Sequence, residues 1–212
     1  MRVIRAAQRS DADLVSEVAA CIRSGGTVIF PTETVYGIGC DPDSEQAIRA
    51  VYEAKGRSTH KPLALHVADA SQAEPFISEL TECAKRAMRE LWPGPVALIV
   101  RRQPGRYARA ACDLPTISLR CPDHELCRKL LRGAGPLAAT SANISGSAAF
   151  TGDSDNLAAL PQASLAIFAG PTPLRVESTI VDCTGSAPVI IREGAISSAV
   201  ITEKLGTPGR VQ

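Results

Sequence analysis

Several cationic side chains of this 212-residue chain lie at the ends of short apolar runs or next to a glycine that ends a helical pattern. Lys55, Arg57 and Lys61 fall within seven positions, and Arg120 and Arg192 each close a short apolar run. Guanidinium and ammonium groups neutralise the charge on phosphate oxygens during phosphoryl or nucleotidyl transfer. If these places converge, the sequence predicts a basic cleft for a polyphosphate. The alternative is that the cluster around Gly56 is an ordinary solvated basic turn.

Hydroxyl and amide side chains form a second group of candidates. Residues 25–39 run from two glycines through the apolar Val28-Ile29-Phe30 into Pro31-Thr-Glu-Thr, and Gly37 and Gly39 follow. This pattern predicts a buried strand that delivers a polar turn to a cleft. Two similar groups occur at 141–146 and 178–179. They could contact an amino acid or a nucleoside, but capping of local turns explains them as well.

Several other chemistries have little support in the sequence. A Walker A sequence and a Gly-x-Gly-x-x-Gly pattern are absent, so a phosphate site would depend on side chains. The seven cysteines form no Cys-x-x-Cys pair and have no histidine at a metal-ligand spacing, which favours free thiols over a zinc site or disulfides. With 23 basic and 22 acidic residues, no overall field favours nucleic acid. No long apolar run is present, so we expect a cytoplasmic protein with no membrane partner.

The candidate residues must be positioned by alternating helices and strands. Capping residues and 3.6-residue periodicity predict helices over 10–24, 81–91, 123–131 and 197–205, and a further helix that begins at Ser44. Short apolar runs predict strands at 3–4, 28–30, 62–67, 96–100, 116–120, 137–139, 165–168, 176–183 and 189–192. This order predicts a single α/β domain over 1–212 with a twisted mixed sheet flanked by helices. We expect 101–115 to be a long mobile loop and a candidate lid, and 206–212 to be a frayed tail.

Six motifs, spread over about 10–194 and occurring in one order, carry a resemblance to a known family. The motifs are Pro31-Thr-Glu-Thr-Val-Tyr-Gly-Ile-Gly39, Lys55-Gly-Arg57 with Lys61-Pro-Leu63, Thr116-Ile-Ser-Leu-Arg120, Ser141-Ala-Asn-Ile-Ser-Gly146, Ser178-Thr-Ile-Val-Asp182 and Arg192-Glu-Gly194. On these motifs, the sequence is similar to the short, single-domain YrdC-type threonylcarbamoyl-adenylate synthases, and Ser58 and Phe150 stand where proline is common in that family.

The resemblance implies a YrdC-like fold with a large concave basic cleft, and an enzyme that joins L-threonine, bicarbonate or CO₂, and ATP. Its products would be L-threonylcarbamoyl-AMP and pyrophosphate, for the N6-threonylcarbamoyl modification of adenosine 37 in tRNA. Mg²⁺ would accompany ATP, without a metal held by the protein. Proteins that transfer the threonylcarbamoyl group to tRNA would act downstream, and a weak RNA contact by this chain stays open.

The resemblance also implies roles for twelve residues. Lys55 and Arg57 would be catalytic. Thr32, Glu33 and Tyr36 are not among the twelve, and we expect them only to shape the turn that presents Thr34. L-Threonine would be bound by Thr34, His66, Arg120, Ser141 and Ser178. ATP would be bound by Arg57, Lys61, Thr116, Asn143, Thr151 and Arg192. Two alternatives remain: an RNA-binding module that uses the same cleft, and a related enzyme that forms a carbamoyl adenylate from another donor.

Overall fold

The computed structural model describes residues 1–153, 157 and 160–207. In this part of the chain, eleven strands form one sheet and six α-helices accompany it. The strands are β1 Arg2–Arg5, β2 Val28–Phe30, β3 Gly37–Cys40, β4 Ala64–His66, β5 Ile77–Glu79, β6 Val96–Arg102, β7 Thr116–Arg120, β8 Leu137–Ser141, β9 Leu165–Phe168, β10 Thr179–Asp182 and β11 Val189–Arg192. The helices are α1 Asp11–Arg23, α2 Glu45–Lys55, α3 Ala70–Ala73, α4 Glu82–Leu91, α5 Glu125–Ala134 and α6 Ser198–Leu205.

The sheet is mixed, as the sequence predicts. Its order is β1-β9-β2-β3-β8-β4-β7-β6-β10-β11, and β5 pairs with β6. The pairs β1/β9, β2/β9, β4/β7 and β6/β10 are parallel, and the other pairs are antiparallel. Buried apolar residues form two clusters, one of which unites α1 and α5 with β2 and β9. None of the described helices has the length and apolar character needed to cross a membrane.

The stretch 25–39 forms a β-hairpin instead of a strand followed by a turn. Gly37 and Gly39 belong to β3, which pairs antiparallel with β2. A Cβ atom on Gly37 would lie 2.9 Å from Cζ of Phe30, and one on Gly39 would lie 3.0 Å from Cβ of Ala139. Glycine is therefore needed here because the Phe30 ring covers the neighbouring strand, and it does not mark the end of the strand.

The prediction for 101–115 is partly wrong. Strand β6 continues to Arg102, and Tyr107 and Ala110 are buried. The Tyr107 ring lies 4.4 Å from that of Phe76, and the backbone nitrogen of Leu63 donates a hydrogen bond of 2.8 Å to the Ala110 carbonyl. The segment packs on the core through a few small or aromatic residues, and their spacing in the sequence matches neither the period of a helix nor that of a strand. A lid function for it stays a prediction.

Most predicted helices begin where the sequence places them. The side chains of Ser10, Ser44 and Thr81 accept hydrogen bonds from the first turns of α1, α2 and α4. Helix α5 differs, because His124 and not Asp123 is its cap: the His124 ring accepts a hydrogen bond from the backbone of Cys127 at 3.2 Å.

Other differences are at element ends. The predicted strands 62–67 and 176–183 shorten to β4 and β10, and α3 and β5 were not predicted. In the predicted tail, residues 206–207 follow α6, and 208–212 lie outside the described residues.

Candidate active site

A cleft of about 440 Å³ opens over the middle of the sheet. Residues from the loop after α2 and from β4, β7, β8 and β11 share its wall, together with Ser178 next to β10. Of the twelve residues that the family resemblance implies, seven line this cleft: Arg57, Lys61, His66, Arg120, Ser141, Ser178 and Arg192. The cleft therefore combines four cationic side chains with hydroxyl groups, as a site for an anionic ligand requires.

The basic loop 57–62 is folded around its own arginine. Gly56, with a left-handed φ of 58°, ends α2 and lets the chain turn toward the cleft. Nε of Arg57 donates to the Lys61 carbonyl at 3.2 Å, and Nη2 donates to the Pro62 carbonyl at 3.1 Å. The Tyr52 hydroxyl also donates to the Lys61 carbonyl, at 2.9 Å. Burial lowers the pKa of Arg57, but a guanidinium remains charged at any physiological pH.

His66 and Arg120 are paired residues of the parallel strands β4 and β7. Burial, followed by the charge of Arg120, lowers the pKa of His66 to about 3. The imidazole is therefore neutral near pH 7 and can exchange hydrogen bonds with a ligand without adding charge. Its edge packs against the Phe30 ring, with centroids 5.6 Å apart.

Arg120 has a buried acidic neighbour. Nη2 of Arg120 lies 2.8 Å from Oε2 of Glu33, and the two side chains are 5% and 6% exposed. Despite this distance, the contact does not meet hydrogen-bond geometry, and Nε and Nη2 of Arg120 have no hydrogen-bond partner among the described residues. The charge of Glu33 therefore offsets that of the guanidinium, while Nε and Nη2 of Arg120 are left without a hydrogen bond.

Thr34 lies behind the wall of the cleft. It is fully buried, whereas Thr32 lines the cleft. The Thr32 hydroxyl donates to the Val35 carbonyl at 2.6 Å and lies 2.9 Å from the Thr34 hydroxyl. Since a hydroxyl has one proton to donate, Thr34 must be the donor in the second contact. The predicted contact of Thr34 with L-threonine stays a prediction, and Thr32, itself 1% exposed, is the member of the pair that lines the cleft.

Lys55 is also buried, at 1% exposure. Its Nζ donates to the Ser141 carbonyl, to the Asn143 carbonyl at 2.5 Å and to Oδ1 of Asn143 at 3.3 Å. The Lys55 carbonyl accepts a hydrogen bond of 2.8 Å from the backbone of Ser145. Burial, followed by the charge of Arg57, lowers the pKa of Lys55 to about 8. An ammonium has three donors, so these contacts occupy Lys55 as a brace for the 141–145 turn.

A second, smaller cavity of about 210 Å³ contains two further candidates, Asn143 and Thr151. Nδ2 of Asn143 donates to the Ser147 carbonyl at 2.7 Å, and the Thr151 hydroxyl donates to Oδ2 of Asp153 at 2.6 Å. Ser141 lines the main cleft and Ala142, the next residue, lines the second cavity. Asn143 and Thr151 thus share the second cavity, which the 141–143 turn separates from the main cleft.

Ser118 and Glu177 line the cleft but were not predicted. Thr116 begins β7, outside the cleft lining, and the two-residue period of a strand puts Ser118 on the same face as Arg120. That alternation is the signal that could have found Ser118.

Glu177 is the one carboxylate among the described residues of the lining. Its Oε2 lies 2.7 Å from Nη1 of Arg192, whose Nη2 donates to the Ser178 carbonyl at 2.8 Å. No comparable sequence signal marks Glu177.

The residues of the cleft do not fit a magnesium ion held by the protein. Among the described residues, no group of three or more His, Cys, Asp or Glu side chains could hold a metal. Glu177, the cleft's carboxylate, is already paired with Arg192. Magnesium in nucleotide sites is bound through one or two carboxylates and the substrate's phosphates, so here the ion would depend on the phosphates of ATP.

Comparison with known proteins supports the resemblance. The family model Sua5_yciO_yrdC, described as "Telomere recombination", matches residues 20–194. A threonylcarbamoyl-AMP synthase of Bacillus subtilis is 38% identical over 196 residues, which are 91% of this chain and 56% of that protein. A putative threonylcarbamoyl-AMP synthase of Mycobacterium tuberculosis is 36% identical and covers 91% of this chain and 89% of its own length.

A solved structure agrees with these relatives. The crystal structure of Pyrococcus abyssi Sua5 complexed with L-threonine has a TM-score of 0.88 and 33% identity, and the match covers 97% of this chain and 60% of that one. This chain thus spans little more than half the length of the Bacillus and Pyrococcus proteins. The match of the family model over 20–194 and the similarity over nearly all of the Mycobacterium relative show that the chain belongs to the Sua5/YciO/YrdC family.

Proposed function

We propose that this chain is an L-threonylcarbamoyl-AMP synthase, a nucleotidyltransferase that uses L-threonine, bicarbonate and ATP. The observation that carries the proposal is the convergence of Arg120 and the hydroxyls of Ser141 and Ser178 with Arg57 and Lys61 in one cleft. The first three groups suit an amino acid, and the last two suit a polyphosphate. The names of the Bacillus and Mycobacterium relatives and the L-threonine complex of the Pyrococcus protein support the same function.

The amino acid would be bound at the Arg120 end of the cleft. Arg120 lines the cleft, and its guanidinium would bind the α-carboxylate through charge-assisted hydrogen bonds, which are among the strongest in proteins. Ser141 and Ser178 line the same wall and can bond the amine and the side-chain hydroxyl. Neutral His66 would add a hydrogen bond, and Thr34 would act through Thr32. Positioning by these groups would set the amine toward the triphosphate.

The reaction needs no protein nucleophile. The threonine ammonium combines with bicarbonate to give a carbamate, with release of water and one proton. A carbamate oxygen then attacks the α-phosphorus of ATP, and the bond from that phosphorus to the bridging oxygen breaks. The products are threonylcarbamoyl-AMP and pyrophosphate. Holding the carbamate against the phosphate is mainly a matter of proximity.

The cationic side chains would stabilise the departing pyrophosphate. Arg57, Lys61 and Arg192 line the cleft and can spread the charge that develops on the leaving oxygens. Asn143 and Thr151 in the second cavity, with Thr116 on β7, would bind the nucleoside part of ATP. Magnesium, when bound, would neutralise the phosphates further. The product would then pass to proteins that transfer the threonylcarbamoyl group to tRNA.

Calorimetry with the wild-type chain tests the amino-acid site. We expect L-threonine to bind with 1:1 stoichiometry, more tightly with ATP present, and L-serine to compete only weakly. Arg120→Lys keeps the charge but loses the planar fork, so L-threonine should bind at least tenfold more weakly. Wild-type protein that binds ATP but shows no heat with L-threonine would contradict the proposal.

A further inference from the structure

Glu33 is a buried carboxylate that the proposed reaction does not use. It follows Thr32 in the loop between β2 and β3, it is 5% exposed, and its backbone carbonyl accepts a hydrogen bond of 2.9 Å from Leu174. It is absent from the described lining of the cleft, whereas Arg120 is part of that lining. Arg120 therefore stands between the cleft and Glu33.

The pair is close but incompletely bonded. Oε2 of Glu33 lies 2.8 Å from Nη2 of Arg120, yet both oxygens of Glu33 and two nitrogens of Arg120 are buried without a hydrogen-bond partner among the described residues. The large majority of buried side-chain polar atoms in proteins have a hydrogen-bond partner, so four such atoms in one ion pair require an explanation. Glu33 does compensate the charge of Arg120, and this matters because an unpaired guanidinium would be very costly to bury.

The charge at this end of the cleft is consequently close to zero. His66, next to Arg120, is neutral near pH 7 because burial lowers its pKa to about 3. The Arg120 cation is offset by Glu33 behind it. A ligand that enters is thus added to a neutral pair and not to a bare cation. A ligand with balanced charges, such as a zwitterion, suits this environment, whereas a ligand with a net negative charge is repelled by Glu33.

We propose that Glu33 is a specificity-determining residue, which acts through Arg120 and makes the pocket select net-neutral amino acids against simple carboxylate anions. This inference rests on the proposed function, since it takes the Arg120 end of the cleft as the amino-acid site. Glu33 works by its charge from behind the wall, without touching the ligand. Two unit charges roughly 6 Å apart, at an effective dielectric constant of about 20, change a binding constant by roughly 100-fold.

The test compares two ligands that differ only in the amine. L-Threonine is a zwitterion, and (R)-3-hydroxybutanoate has the same carbon skeleton and hydroxyl but a net charge of −1. Their dissociation constants are measured by calorimetry, directly or by competition, on wild type, Glu33→Gln and Glu33→Asp. In Glu33→Gln, the anion should bind at least tenfold more tightly than to wild type, while L-threonine should change by less than threefold. In Glu33→Asp, which keeps the charge, rejection of the anion should stay within threefold of wild type.

A matched control removes a carboxylate elsewhere. Glu17→Gln, on α1, takes a surface partner from Arg2, and neither dissociation constant should change. An unchanged anion affinity in Glu33→Gln, or an equal change for both ligands, would overturn the proposal. If Glu33→Gln does not fold, Glu33→Asp decides: retained rejection supports the proposal and lost rejection overturns it. Wild type that does not bind L-threonine would refute the proposed function itself.

Discussion

His66 lies between the Arg120 guanidinium and the Phe30 ring, and its imidazole is almost entirely removed from water. Its pKa in the folded chain, about 3, is below the usual 6.5. Between these values the unfolded chain binds a proton that the folded chain does not. This histidine therefore makes the folded state less stable as the pH falls from about 6.5 toward 3.

The His66→Asn substitution should remove that pH dependence. Between pH 7 and pH 5 the wild type should lose about 2 kcal/mol more of its free energy of unfolding than the variant does. Urea unfolding at the two pH values measures both losses. Equal losses would mean that His66 takes up its proton as readily in the folded chain as in the unfolded chain, so that burial does not lower its pKa.

Lys55 gives the next prediction at this scale. Lys55→Met keeps an unbranched side chain, one atom shorter, but leaves the carbonyls of Ser141 and Asn143 without their donor. Unpaired buried carbonyls cost about 1–3 kcal/mol each, so the 141–145 turn should shift. We expect kcat/KM to fall at least 100-fold, with weaker binding of L-threonine. Lys85→Met, on the exposed face of α4, is the control that should keep full activity. A Lys55→Met enzyme with normal L-threonine affinity would rule out the bracing role.

At the scale of elements, the β2/β3 hairpin depends on a glycine. A methyl group on Gly37 would lie 2.9 Å from the Phe30 ring, so Gly37→Ala must shift that ring or the strand beneath it. Overpacking of this kind costs about 1–3 kcal/mol. Gly185→Ala is a suitable control, because its nearest neighbour would be 3.9 Å away. Denaturant unfolding should separate the two variants, and an unchanged midpoint for Gly37→Ala would contradict the packing described here.

Local chemistry explains which elements the sequence can predict. Ser10, Ser44 and Thr81 are good caps next to periodic apolar residues, and all three cap helices. Strand β3 could not be predicted, because glycine is a poor strand former, and the need for Gly37 and Gly39 comes from close neighbours that only the fold brings near them, Phe30 and Ala139. The cap of α5 is His124 instead of the expected Asp123, because the His124 ring accepts the bond from Cys127 while Asp123 is paired with Arg128.

For the cleft too, the sequence reveals local features but not contacts that depend on the fold. Arg57, Lys61, Arg120 and Arg192 could be identified as anion-binding candidates, since their charge and place in the chain are visible in the sequence. The bonds from Lys55 to residues 86 and 88 positions further on could not. The Glu33 pair with Arg120 was equally hidden, because the two residues are far apart in the chain and are buried together only in the folded protein.

At the scale of the whole molecule, the strand order makes the cleft. Strand β8 lies between β3 and β4, β7 pairs with β4, and β6 joins β7 to β10. Side chains that are up to 160 positions apart, from Thr32 to Arg192, therefore line one cavity. The groups that we propose for the amino acid and those that we propose for the polyphosphate line the same cleft. We therefore expect that neither substrate reacts without the other.

Pyrophosphate release is the most direct measurement of that requirement. With ATP, L-threonine and bicarbonate together, the wild type should release pyrophosphate and form threonylcarbamoyl-AMP in equal amounts. Omission of either L-threonine or bicarbonate should abolish release. Arg57→Ala should reduce it at least 100-fold, since one charge-stabilising donor in a buried site supplies this much. Pyrophosphate release at the same rate without L-threonine would contradict the account.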